Sequence, residues 1–237
     1  MKILFTGPSL PDAAALCGDT IAVRPPAAHG DVLAAVRAGA TAIGIIDGNF
    51  EHVAPVWHKE ILYALDQGTA VFGAASMGAL RAAECDTFGM VGIGRIYEDY
   101  ASGRRMDDAD VALLHGPAEL GYPALSLPLV NADATLDQLE REEAIEKYDI
   151  LKLRSAAAGL FYKERTWLTI VERAETAADR AVLLQLLLAA TVDQKRADAL
   201  ALVHALAGFD AKTPAKRGNW TFRATSLWRA VANQPVA

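Results

Sequence analysis

Short apolar runs separated by helix-length segments fill the first third of this chain, and that alternation leaves few folds open to it. Lys2 to Thr6 reads as a buried strand running into the loop Gly7-Pro8-Ser9, and Thr20 to Arg24 as a second short strand. Asp31 to Arg37 has helical spacing and stops at Gly39; Thr41 to Ile46 is a strand that delivers Asp47-Gly48 to its carboxyl end. Glu51 to Gln67 reads as a long helix ended by Gly68, followed by a strand over Thr69 to Ala75. Strands this apolar, without polar alternation, must be covered on both faces. That predicts an α/β fold: a parallel-type sheet flanked by helices. Ligands of such sheets sit in the crevice beyond the carboxyl ends of the strands, where Gly7-Pro8-Ser9, Asp47-Gly48 and Ser76 all fall.

Past this region the pattern changes. Met90 to Asn131 is rich in Gly and Pro, with a helix-like Ile96 to Tyr100 and a short apolar Val111 to Leu114. From Thr135 to about Leu206 helix follows helix: Leu136, Leu139, Glu143, Ile145, Leu151 and Leu153 begin one amphipathic stretch, and Ala181 to Ala190 and Ala197 to Leu206 form two more. The expected division is an α/β core carrying the active site over residues 1–134 and a mostly helical C-terminal docking and support region over 135–237. The aromatics of Gly218 to Phe222, and the stretch Thr225 to Val231, point to an ordered end. Glu140-Arg141-Glu142-Glu143 reads as a solvated helix face.

Composition narrows the function. With 52% hydrophobic residues over 237 positions a sizeable core is expected, and a net charge of −6 argues against bulk nucleic-acid binding. The apolar run Ala181 to Thr191 is too short to span a bilayer. The N-terminus lacks the order of a secretory signal, so a cytoplasmic protein without a membrane partner is expected. Cys17 and Cys85 form no C-x-x-C pair and read as reduced thiols; the five histidines show no metal spacing. Gly92-x-Gly94 lacks the third glycine of a dinucleotide loop. No metal or cofactor is expected.

The chemistry concentrates at Ser76. The sequence Ala74-x-Ser76-x-Gly78 differs from the G-x-S-x-G elbow only in its first small residue, at a strand-to-helix junction where a serine hydroxyl is thrust out of the sheet beside free backbone N–H groups. Such a serine serves either as a nucleophile or as a helix cap. A nucleophile needs a base. His58 shares an apolar stripe with Ala54, Ile61, Leu62 and Leu65, which reads as a core position; Lys59 lies at the margin of that stripe. Spacing alone does not choose between them. Asp47 either orients a base or binds a ligand, or else Asp47-Gly48 makes a turn or a helix cap; Arg81 and Glu84 are spaced to pair across one helical turn, and Ser9-x-x-Asp12 reads as a cap.

Three blocks together resemble the TfuA-like proteins: Ile43-Gly44-Ile45-Ile46-Asp47-Gly48-Asn49-Phe50-Glu51, Val56-Trp57-His58-Lys59-Glu60-Ile61-Leu62, and Phe72-Gly73-Ala74-Ala75-Ser76-Met77-Gly78-Ala79-Leu80-Arg81-Ala82-Ala83-Glu84. Gly7-Pro8-Ser9-Leu10, Phe88 to Gly94 and Asp107 to Ala112 fit the same pattern, with Asp110 where family members often carry a glutamate. The resemblance implies a partner of a YcaO enzyme in peptide backbone thioamidation. It implies a serine–lysine hydrolase acting on the C-terminal thiocarboxylate of a ThiS-like sulfur carrier, and a strengthening of YcaO binding to its substrate peptide. The pair maps onto Ser76 and Lys59. Met77 and Gly78 would hold the oxyanion, and Gly7, Asp47 and Arg81 join them as binding candidates, Arg81 for the carrier's terminal carboxylate. The alternative is a non-catalytic adaptor for YcaO, its peptide and the carrier.

Overall fold

A computed structural model describes residues 1–49, 53–210 and 219–232; Phe50, Glu51 and Gly218 of the blocks above lie outside the described residues. The chain forms two compact units, one built from residues 1–106 and 196–237, the other from residues 107–195.

The first unit holds a five-stranded parallel sheet. Its strands are β1 (Lys2–Phe5), β2 (Ile21–Arg24), β3 (Ala42–Ile45), β4 (Ala70–Ala74) and β5 (Val91–Ile93), in the order β2-β1-β3-β4-β5. The connecting helices are α1 (Ala13–Cys17), α2 (Asp31–Arg37), α3 (His58–Asp66) and α4 (Met77–Cys85), with α5 (Arg95–Ala101) after β5. Right-handed crossovers put α2, α3 and α4 on one face and α1 on the other, because the chain moves from β1 outward to β2 and then back past β1. The α/β fold read from the apolar runs is present, with every residue of β3 and β4 buried.

The second face needs a helix from far along the chain. α10 (Gln194–Gly208) brings Ala199, Leu202, Val203 and Leu206 into one cluster with Leu4, Leu10, Ala42, Phe72 and Ala74. Gly44 is required for this contact, since a Cβ there would stand 2.7 Å from Leu202 Cδ2 and 2.9 Å from Leu4 Cδ1. Fully burying Leu202 and Leu206 contributes about 1.5–3 kcal/mol each. The division expected near Ala134 therefore falls elsewhere: Ala134 lies inside a helix, and the chain returns to the sheet unit at Arg196.

Other boundaries differ for local reasons. The helix expected from Glu51 starts at His58, because Pro55 has no N–H to give and disfavours helix at Ala54. β5 was not legible, being three residues around Gly92. That glycine is a packing position: a Cβ would strike the Tyr97 ring at 2.1 Å.

The second unit is helical: α6 (Leu129–Arg141), α7 (Lys147–Ala158), α8 (Trp167–Arg173) and α9 (Arg180–Ala189). They enclose Leu136, Leu139, Ile150, Leu153, Trp167, Ile170 and Leu187. The single stretch read from Leu136 to Leu153 is two helices, broken at Glu143 with φ +54°. Leu151 is exposed, while Glu140 to Glu143 are solvated as expected. Among the described residues no helix is long and apolar enough to cross a membrane. The last helix among the described residues is α11 (Ser226–Ala232), which belongs to the sheet unit.

Candidate active site

The turn from β4 into α4 is strained one residue ahead of Ser76. Ala75 has φ +66°, and the Ser76 N–H donates to the Ala74 carbonyl at 2.7 Å, closing a three-residue turn. Alanine held in this region stores on the order of 1–3 kcal/mol. Two glycines let the helix press against the strands: a Cβ on Gly73 would lie 2.1 Å from the Gly78 carbonyl oxygen, and one on Gly78 would lie 1.8 Å from that of Ile45. The small residues around Ser76 are thus required sterically.

Ser76 stands at the N-cap of α4, half-buried, and its side chain makes no capping bond. Its Oγ has no hydrogen-bond partner among the described residues, and neither does the Met77 N–H. The hydroxyl and one backbone donor are therefore free at the positive end of a helix. Gly78, expected as a second oxyanion donor, gives its N–H to the Ile46 carbonyl at 3.1 Å. Its place in the turn is set by packing.

The other binding candidates are engaged. Asp47 is buried, and its carboxylate accepts from the Gly7 N–H at 2.8 Å, the Ser9 N–H at 3.0 Å, the Ser9 hydroxyl at 2.6 Å and the Thr6 hydroxyl at 3.4 Å. Asp47 thus fixes the loop after β1 and takes up the Gly7 N–H, and the cap read at Ser9 is not formed, since α1 has Asp12 at its N-cap. Arg81 is buried, donating to the Val56 carbonyl at 3.0 Å and pairing with Glu84 at 2.7 Å across one helical turn.

α3 places the two base candidates differently from the stripe read in the sequence. Its buried residues are Glu60, Ile61, Ala64 and Leu65. At about 100° per residue, Lys59 falls on the side away from the sheet. The Lys59 ammonium lies over the Phe222 ring, 4.6 Å from its centroid, and has no hydrogen bond to any described residue. Ser76 and Lys59 belong to neighbouring elements but are not bonded. His58 is no core residue: its side chain is 44% exposed and its Nε2 pairs with Glu84 at 2.7 Å. The Glu84 carboxyl feels opposing influences. Burial, the largest, raises its pKa; the bonds to His58 and Arg81 outweigh that and bring the net value below the ordinary carboxylate range.

Comparison with known families decides the affiliation. A family model described as TfuA-like protein matches residues 47–166, half of the chain, including the Ser76 turn and Lys59. The chain belongs to the TfuA-like family. No curated protein matches it. In this TfuA-like chain, no cluster of three or more His, Cys, Asp or Glu side chains among the described residues could hold a metal ion.

Sequence reasoning missed Glu60 and Phe222. Glu60 is fully buried and accepts from the Gly30 N–H at 2.9 Å and the Leu33 N–H at 3.2 Å, closing the start of α2; burial pushes its carboxyl pKa up. A charged residue inside the stripe carries no apolar signal. Phe222 is found only through the fold.

Proposed function

We propose that this TfuA-like protein hydrolyses the C-terminal thiocarboxylate of a ThiS-like sulfur carrier. It releases sulfide in the cytoplasm for YcaO-dependent thioamidation of a peptide backbone, and it strengthens YcaO binding of that peptide. The observation that carries the reading is the strained turn at Ala75, which presents an unbonded Ser76 hydroxyl next to an unbonded Met77 N–H.

Ser76 Oγ attacks the thiocarboxylate carbon while the neutral Lys59 amine takes its proton. The Met77 N–H receives the developing oxyanion, a contribution of a kind worth on the order of a hundredfold in rate. Collapse breaks the carbon–sulfur bond as Lys59 passes that proton to the sulfur; hydrosulfide leaves and an acyl ester remains on Ser76. Water attacks the ester, giving back its proton through Lys59, and the carrier departs as a carboxylate. In net terms the thiocarboxylate and one water give a carboxylate and hydrogen sulfide, with no metal, cofactor or nucleic acid required.

The placement of Lys59 on Phe222 favours a second reading: a non-catalytic adaptor that docks YcaO, its peptide and the carrier. Purified protein mixed with thiocarboxylated carrier, without YcaO, separates the two. The hydrolase reading expects sulfide release that falls at least a hundredfold in Ser76→Ala and Lys59→Ala. Equal release from all three proteins removes the serine–lysine mechanism, and no release with YcaO binding intact establishes the adaptor.

A further inference from the structure

Residues 219–232 form a strap across the outer side of α3. Trp228 is buried, with its ring centroid 6.2 Å from that of Trp57 and 5.1 Å from that of Tyr63. Trp220 Nε1 donates to the Phe88 carbonyl at 2.8 Å, and the rings of Trp220 and Phe88 meet edge to face. Phe222 lies between these two anchors, against Tyr63 and Trp228, with its face under the Lys59 ammonium. The intervening Thr221 and the run Arg223 to Leu227 are exposed. The strap is therefore held by a few aromatic contacts, one of which engages the proposed base, and by two hydrogen bonds, Trp220 to Phe88 and the Arg37 guanidinium to the Ala232 carbonyl.

We infer that the strap is a latch on Lys59, with Phe222 as the positioning residue that keeps the amine away from Ser76 until the strap lifts. The ring face attracts a cation and gives the long lysine side chain a fixed resting place. The pairing with Ser76 rests on the function proposed above; the hold on Lys59 rests on geometry alone.

The test uses the full chain. The folded protein is acylated with N-hydroxysuccinimidyl acetate, and the rate at each lysine is read by mass spectrometry, with exposed Lys147 as internal reference. Phe222→Leu keeps apolar volume but removes the ring, and Phe222→Tyr restores it. Lys59 acylation rises about two- to fivefold in Phe222→Leu and returns to the wild-type rate in Phe222→Tyr, the size expected for one exposed cation–π contact. An unmoved Lys59 rate overturns the latch, whatever happens at Ser76. If Phe222→Leu loses its fold, Phe222→Met answers the same question. Labelling of Ser76 by a fluorophosphonate is read in parallel: it rises with Lys59 exposure and disappears in Lys59→Met. Faster Lys59 acylation with unchanged Ser76 labelling leaves the latch standing and removes the serine–lysine pairing.

Discussion

The strand ends at the carboxyl edge of the sheet are finished in two ways. After β1, Asp47 gathers the N–H groups of Gly7 and Ser9. Between β2 and α2, Glu60 gathers those of Gly30 and Leu33. After β5, Asp198 of α10 accepts from the Ile96 N–H at 2.8 Å, reaching past Gly94, where a Cβ would collide with it. Each closure is a buried carboxylate supplied by a distant element and aimed at backbone donors. The turn after β4 receives no such carboxylate among the described residues. Its internal acceptors are carbonyls, Ala74 for Ser76 and Ile46 for Gly78, and the Met77 donor is left over. Three strand ends, those of β1, β2 and β5, are thus closed by buried acids, and the β4 turn keeps an open backbone donor. An open donor at a helix start suits an anion, as the function proposed above requires.

The contrast can be broken at either side. The largest effect is expected for Gly78→Ala, whose Cβ would sit 1.8 Å from the Ile45 carbonyl oxygen with backbone on both sides. The loss is about 3 kcal/mol or more, read from urea unfolding; a loss under about 1 kcal/mol would mean α4 does not depend on this close approach. Asp47→Ala strands two buried N–H groups and is expected to lower stability by about 2–4 kcal/mol, seen as a fall in the unfolding midpoint. A near-neutral result there would erase the distinction between closed and open strand ends.

Glu60 makes a pH test of the same comparison. Its folded pKa is raised above the unfolded value by burial, so its contribution is fully present below the unfolded glutamate range and is lost as pH rises through the folded value. Wild-type stability should decline over that window, and Glu60→Gln should flatten the decline; superimposable pH profiles would show that this carboxyl is not strained by its burial. The smallest effect belongs to Ser76→Ala, expected within about 0.5 kcal/mol of wild type by urea unfolding, because no hydrogen bond is removed. A loss above about 1 kcal/mol would mean that the hydroxyl holds the turn.

What the sequence made legible was whatever local pattern carries. Continuous apolar runs gave away β1, β3 and β4, and small residues on both sides of Ser76 gave away the turn. Partners distant in the chain were not readable. Nothing near Gly78 announces that its N–H belongs to Ile46, and nothing near Leu202 announces that it packs on Gly44. The face of α3 was misjudged for a physical reason: a buried glutamate, satisfied by Gly30 and Leu33, occupies a position that polarity assigns to solvent. The core face accordingly centres on Glu60, Ile61, Ala64 and Leu65, and Lys59 turns outward.

The late arrival of α10 matters during synthesis. The strands are complete by Ile93, yet the apolar cluster of Leu4, Phe72 and Ala74 lacks Leu202 and Leu206 until the whole second unit has been made. A ribosome adding roughly 5–20 residues per second takes several seconds to cross that interval. Throughout it, the nascent sheet has one face covered by α1 alone. The insertion of residues 107–195 between strand and covering helix thus sets an interval in which apolar strand surface waits for its partner helix, the kind of transient exposure that makes folding intermediates prone to aggregate.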